Sequence, residues 1–377
     1  MAELKLEDWF PVSPLVGPPL PKWMEITWPP LVGPPSQEIY TPTAVLAAYN
    51  ATSQSKRQAT IVCDGIHDEL AILEAVNLTS GPGGTVGYVQ LTEGNFNVQA
   101  LPEQVAAIYT AYNHKEPMVF RGVGRATIID ASGDLSSVII SQSRETLIEN
   151  LSLRLAPGTG KYGLPARGIS AIKRAGIIIR NIWYEGDPAY PTAGGDVDGN
   201  AIFLDNCDYS SISGCHINNP RRSAITIRGG ICSLAFKNIV QNTGYDGIQL
   251  GGYYGVAYGN KLLNVRYAGI DAGGNYNFII QNEVSKCGYG VGSMGDNIQS
   301  GSHNIFLKNI VKDVVYSPGL GLWARGNENL FLFNQVLNSP IGVKIVNATS
   351  RGNRIVLNDF IDCKKILLDE GTDTLFR

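Results

Sequence analysis

Residues 238–272 read NIVQNTGYDGIQLGGYYGVAYGNKLLNVRYAGIDA and hold one pattern twice. In each copy an Asn precedes an apolar run (Asn238, Asn260), and a small residue followed by an aliphatic one comes next (Gly247-Ile248, Gly269-Ile270). The small-aliphatic pair recurs upstream at Gly168-Ile169, Ala201-Ile202 and Ala224-Ile225, and downstream at Gly290-Val291, Gly321-Leu322 and Gly342-Val343. Successive aliphatic members are 33, 23, 23, 22, 21, 31 and 21 residues apart. A period near 22 with short apolar runs, no helical periodicity and no proline inside the runs is what a parallel β-solenoid requires. Each coil stacks about 4.8 Å above the last, so equivalent residues line up. Leucine-rich repeats share the period, but their Leu-x-x-Leu-x-Leu signature is missing, and a propeller blade needs about 40 residues.

The Asn anchor runs through Asn150, Asn181, Asn238, Asn260, Asn282, Asn309, Asn334 and Asn358, with Cys215 in its place in one repeat. One buried amide per coil, set in a bend, can hydrogen-bond to its neighbours up and down the stack. Ahead of the repeats, Thr60-Ile61-Val62-Cys63 reads as a strand, and the apolar positions Leu70, Ile72, Leu73 and Val76 place a helix over Asp68–Leu78 that covers the first coil. The motif Asp64-Gly65-x-x-Asp68-x-x-Ala71-Ile72-x-x-Ala75, followed by Gly83-Gly84-Thr85-Val86 and Gly94-Asn95-Phe96, resembles the opening of the pectate-lyase-like right-handed β-helix superfamily, the fold of phage tailspikes and polysaccharide-processing enzymes. The resemblance covers residues 59–370 and implies an all-β right-handed parallel β-helix with a short N-terminal capping helix; Asp64 and Asp68 are then structural. The fold hosts lyases, hydrolases, epimerases and non-catalytic spikes alike, so it leaves the activity open.

Charged residues make up 17% of the 377-residue chain and the net charge is −3, which argues against nucleic-acid binding. No window approaches 18 consecutive apolar residues, so no membrane insertion is expected, and the first residues lack the pattern of a secretory signal. Six cysteines without a CxxC pair read as buried apolar fillers, and four histidines with no ligand spacing give no metal site; no cofactor is implied. Residues 1–42 carry ten of the twenty prolines, three of the five tryptophans and the segment Pro-Leu-Val-Gly-Pro-Pro twice, at 14–19 and 30–35. Such a composition reads as an extended arm. The expected division is an arm over 1–58, whose residues 1–42 dock on a larger assembly, and a β-helix over 59–377.

Insertions in a solenoid gather on one side. Here they fall just before the small-aliphatic strand, at 156–167, 186–200, 218–223 and 312–320, so these loops line one long edge. The edge carries Tyr162, Tyr190, Tyr245, Tyr267, Tyr289 and Tyr316, with Arg167, Arg221, Arg222 and Arg266 and the acids Asp187, Asp196, Asp198 and Asp246. Aromatic faces stack on the apolar side of a pyranose while charged groups bind its hydroxyls or carboxylates. The same tyrosines also fit an outer ladder that only stabilises the stack. With Ile248 and Ile270 inward, Gln249 and Asp271 point outward, beside Asp246.

The candidate acids are therefore Asp198, Asp246 and Asp271. The candidate binding residues are Tyr190, Arg222, Arg228, Tyr245, Gln249, Arg266, Tyr267, Tyr289 and Tyr316. Because the rings lie outside the core, their removal is expected to weaken binding and barely touch stability. The Asn-x-Asp, Asp-Asp and Gly-His-Gly set of polygalacturonases, the Asp-Pro-His-Asp motif of alginate epimerases and the Arg-x-Pro-x-x-Arg region of pectate lyases are not found. Together with the arm, this points to a virion spike or fibre, outside the cell and trimeric as similar spikes often are, that binds host polysaccharide. The alternative is a polysaccharide lyase, glycoside hydrolase or epimerase acting on acidic polysaccharide.

Overall fold

A computed structural model describes residues 43–79, 86–100, 104–110, 117–161, 164–187, 198–294 and 301–377. The expectations for the arm over residues 1–42, and for Tyr162, Tyr190 and Asp196, lie outside these residues.

Each coil contributes one strand to each of three parallel sheets. The first sheet stacks Ala44–Ala47 and Gly87–Leu91 at one end, Leu234–Phe236, Val256–Tyr258 and Phe278–Ile280 in the middle, and Leu375–Phe376 at the other end. The second runs from Gly94–Val98 to Asp359–Ile361, and the third from Ala106–Tyr109 to Lys365–Asp369. Register is kept from coil to coil: Leu234 pairs with Val256, Val256 with Phe278, and Phe278 with Ile305. The lumen is filled by ladders such as Ile225, Ile248, Ile270, Val291 and Leu322, all fully buried. The first sheet starts earlier than position 59, because Ala44, Leu46 and Ala47 are buried and their strand pairs with both Ile61–Val62 and Gly87–Leu91. The short helix Ser53–Gln58 follows that strand, capped by the Thr52 hydroxyl. The longer helix, Asp68–Thr79, buries Ile72, Ala75 and Val76 in the same core.

The small member of the repeating pair has a packing cause. A Cβ on Gly247 would lie 2.1 Å from Leu262 of the second sheet, one on Gly269 2.4 Å from Val284, and one on Gly290 2.4 Å from Val311. Both members of the pair thus face inward where the second and third sheets converge. Overfilling this corner costs about 1–3 kcal/mol. Gly290→Ala is expected to lower the melting temperature by several degrees in a calorimetric scan, since its Cβ would also meet the Gly321 carbonyl at 2.2 Å.

The bends between sheets use left-handed residues, in the coil from Asn238 to Gly259 one at each bend: Asn242, Tyr254 and Gly259. At the bend from first to second sheet these include Lys237, Gly259, Gln281, Lys308 and Phe333, each immediately before the buried Asn. The Asn ladder is present from Asn238 to Asn358: the backbone N–H and the amide Nδ2 of Asn260 both donate to Oδ1 of Asn282, which donates in the same way to Asn309. Asn150 and Asn181 do not belong to it. They are the left-handed residues themselves, and their side chains bond to each other at the surface. In those coils the ladder position is held by Leu151 and Ile182, both buried, and in the next by Cys215, whose N–H donates to Asn238. A second ladder stands at the bend from third to first sheet, where the N–H groups of Gly255, Asn277, Asn304 and Asn329 donate to Asn277, Asn304, Asn329 and Asn353 in turn.

Candidate functional site

The third sheet, with the loops that lead into it, carries the candidate acids on its outer side. In one outward column Thr226, Gln249, Asp271, Gly292 and Trp323 follow each other down the stack. Asp246 sits at the mouth of the neighbouring strand and is 1% exposed; Asp271 is 6% exposed. Oδ1 of Asp246 accepts the Ala268 N–H at 3.2 Å, and Oδ1 of Asp271 accepts the Met294 N–H at 2.9 Å. Burial pushes the Asp246 carboxyl well above the usual carboxylate range and the charge of Asp271 raises it further, while the Ala268 N–H and the Arg222 guanidinium pull the other way. The structure thus brings two of the three candidate acids together. Asp198 is elsewhere, held by Arg167 at 2.7 Å.

Tyr245 and Tyr267 stack with ring centroids 4.5 Å apart and planes 7° from parallel. Tyr289 meets Tyr267 edge-on at 4.8 Å, and Trp323 lies 5.1 Å from Tyr289. These contacts correct two expectations. Ring faces turned onto one another are not free to stack on sugar, so Tyr245 and Tyr267 offer mainly edges, and the Tyr267 hydroxyl donates to Met294 Sδ at 3.3 Å. Nor are the rings energetically idle: Tyr267 and Tyr289 pack on a small apolar cluster of Ala268, Leu320 and fully buried Trp323, outside the lumen. Aromatic pairs contribute about 0.5–1.5 kcal/mol beyond their buried area. Tyr267→Ala should therefore depress the melting temperature measurably, which a calorimetric scan can check. Gly292 makes room for the cluster, since a Cβ there would lie 2.4 Å from the Trp323 indole.

The cations are disposed unequally. Arg228 grips Asp205 with two bonds of 2.8 and 3.1 Å and shares the Phe203 ring with Arg167, their guanidinium carbons 5.4 and 4.1 Å from its centroid. Arg222 lies 5.8 Å from the Tyr245 centroid, and its Nε has no hydrogen-bond partner among the described residues. Arg266 is exposed, Gln249 is half-buried beside Asp271, and the Tyr316 hydroxyl donates to Oδ1 of Asn264. Among the described residues, no three His, Cys, Asp or Glu gather in a way that could hold a metal ion. Trp323, Met294 and Phe203 escaped the sequence reading. Aligning Ile270-Asp271 with Val291-Gly292 and Leu322-Trp323 would have placed the tryptophan in the outward column of Asp271.

Residues 200–360, which include both paired acids, match the family model described as right handed beta helix region. The chain is an all-β, right-handed parallel β-helix. No curated protein matches it in sequence. Among solved structures it is similar to DFA-IIIase from Arthrobacter chlorophenolicus A6 without its lid, with a TM-score of 0.57 and 12% identity over 87% of this chain and 93% of that one. It is also similar to an alginate lyase from Paenibacillus sp. str. FPU-7, with a TM-score of 0.52 and 13% identity over 81% and 97%. The catalytic domain of a GH87 alpha-1,3-glucanase in complex with nigerose gives 0.48 and 14% over 83% of this chain; the chain spans 65% of that domain's length. At such identities the shared property is the fold.

Proposed function

We propose that the chain is a carbohydrate-active enzyme that cleaves glycosidic bonds of a polysaccharide at Asp246 and Asp271. The observation that carries this is the pair itself: two buried carboxyls from adjacent coils on the outer side of the third sheet, with burial and the charge of Asp271 raising the Asp246 carboxyl above the usual carboxylate range. Pairs of acids pushed apart in this way divide into proton donor and charge partner. Asp246 gives its proton to the glycosidic oxygen as the bond from that oxygen to the anomeric carbon breaks. Asp271 faces the developing positive charge, either bonding to the anomeric carbon or taking a proton from the attacking water. Water ends on the anomeric carbon, and a new reducing end appears. Solved relatives of the same fold that act on carbohydrates support the reading. Incubation with a panel of acidic and neutral polysaccharides tests it: new reducing ends are expected, whereas unsaturated uronates would indicate a lyase, and no product from any member of the panel would count against catalysis.

A second reading is a non-catalytic, trimeric spike of a virion or other exterior assembly that binds host polysaccharide through the same edge. The doubled Pro-Leu-Val-Gly-Pro-Pro segment and the three tryptophans of residues 1–42 favour it. Deleting residues 1–42 is then expected to abolish attachment while leaving the circular dichroism of the β-helix unchanged.

A further inference from the structure

Three arginines stand along the edge of the third sheet with their neighbours on view, and two are satisfied. Arg167 is neutralised by Asp198 and Arg228 by Asp205. Arg222 differs. Among the described residues no carboxylate forms an ion pair with it, and its Nε is buried without a partner. Its backbone is fixed on both sides, the N–H donating to Gly199 O at 3.2 Å and the carbonyl accepting the Tyr245 N–H at 3.0 Å. The guanidinium rests near the Tyr245 ring, whose far face is closed by Tyr267, and Asp246 follows Tyr245 in the chain. This half-buried cation acts on the Asp246 carboxyl, yet among the described residues it forms no ion pair and its Nε–H finds no acceptor. A guanidinium takes a planar carboxylate or a sulfate in a fork of two bonds.

Resting on the acid-pair reading above, we infer that Arg222 is a specificity-determining residue that binds the anionic substituent of an acidic sugar in the subsite beside Asp246. The substrate class is thus an anionic polysaccharide, uronate-containing or sulfated. Occupation has a second effect. Asp246 is faced by Arg222 from the preceding coil, by Tyr245 from its own loop, and by Asp271 and Tyr267 from the following coil. An anion on Arg222 cancels the one positive charge among these groups, so substrate binding itself helps to keep the proton on Asp246.

Calorimetry on the full chain with an oligouronate, a sulfated neutral oligosaccharide and an unsubstituted neutral oligosaccharide of equal length provides the test, in wild type, Arg222→Gln and Arg222→Lys. Wild type should prefer an anionic ligand, and Arg222→Gln should lose about 10- to 100-fold of that affinity, the worth of a charge-assisted pair. Arg222→Lys, which keeps the charge but not the fork, should recover part of it. Preference for the sulfated over the uronate ligand supports the subsite and identifies the substituent. Equal wild-type affinity for charged and neutral ligands, or binding of the preferred anionic ligand left intact in Arg222→Gln, overturns the inference and leaves the acid pair standing. The acid-pair reading fails by a different result, turnover that survives substitution of Asp246 and Asp271.

Discussion

Asn282→Ala is expected to destabilise the β-helix by about 3–5 kcal/mol and to lower its melting temperature by roughly 10 °C. Asn282 is 1% exposed and occupied on every side. Its Oδ1 accepts the N–H and the Nδ2 of Asn260 at 3.0 and 2.9 Å, and its Nδ2 donates to Ala257 O at 2.9 Å and to Asn309 Oδ1 at 3.0 Å. Alanine removes all of this and leaves the Asn260 N–H and the Ala257 carbonyl buried in a dry bend. A group stranded in this way loses its full solvation, about 1–3 kcal/mol each. Asn181→Gly is the control: its bond to Asn150 lies at the surface, where water replaces it, and glycine accepts the left-handed backbone at this position, so a loss below about 1 kcal/mol is expected. Differential scanning calorimetry on the two variants separates the buried ladder from its surface look-alike. Equal losses would mean that the ladder is not what holds the bend.

The same comparison shows what was legible in the sequence. Period and composition carried the fold, because a coil that stacks on itself must repeat its small and aliphatic residues in register. Asn150 and Asn181 shared the residue type and approximate spacing of the ladder but not its function, since a left-handed bend also favours Asn. A slip of one residue separates the two environments, and spacing alone did not resolve it. The second ladder was equally readable: Asn277, Asn304, Asn329 and Asn353 each precede a member of the first ladder by five residues. Asp246 and Asp271 could be paired from alternation along a strand. The geometry of the tyrosines could not, because whether stacked rings turn faces or edges outward depends on side-chain angles that no pattern encodes. Nor does the pattern reveal that Arg167 and Arg228 are in ion pairs while Arg222, among the described residues, is not, a distinction set by carboxylates brought close from the neighbouring coil.

Asp246→Asn and Asp271→Asn are each expected to lower kcat on a cleaved polysaccharide by about 10²- to 10⁴-fold, the range that a positioned proton donor or acceptor contributes. Their other effects should differ in sign. Asp246 must be protonated to act, so wild-type turnover falls as pH rises through its elevated pKa. Asp271→Asn removes the neighbouring negative charge that helps to raise that pKa, which should carry the alkaline limb of any residual activity to lower pH. Stability follows from the same shift. A carboxyl whose folded pKa lies above its unfolded value contributes stability that is fully present below the unfolded pKa and is lost as pH rises through the folded one. At pH above that folded value the wild-type chain holds a buried charge at a cost, whereas an amide at 246 keeps the acceptor for the Ala268 N–H and cannot ionise. Asp246→Asn should therefore melt higher than wild type in alkaline buffer while losing turnover, the exchange of stability for activity expected of a working group. Thermal melts across pH 5–9 decide the point. If Asp246→Asn melts lower than wild type throughout, the carboxyl is a structural acceptor in the stack, and the donor must be sought elsewhere on the edge.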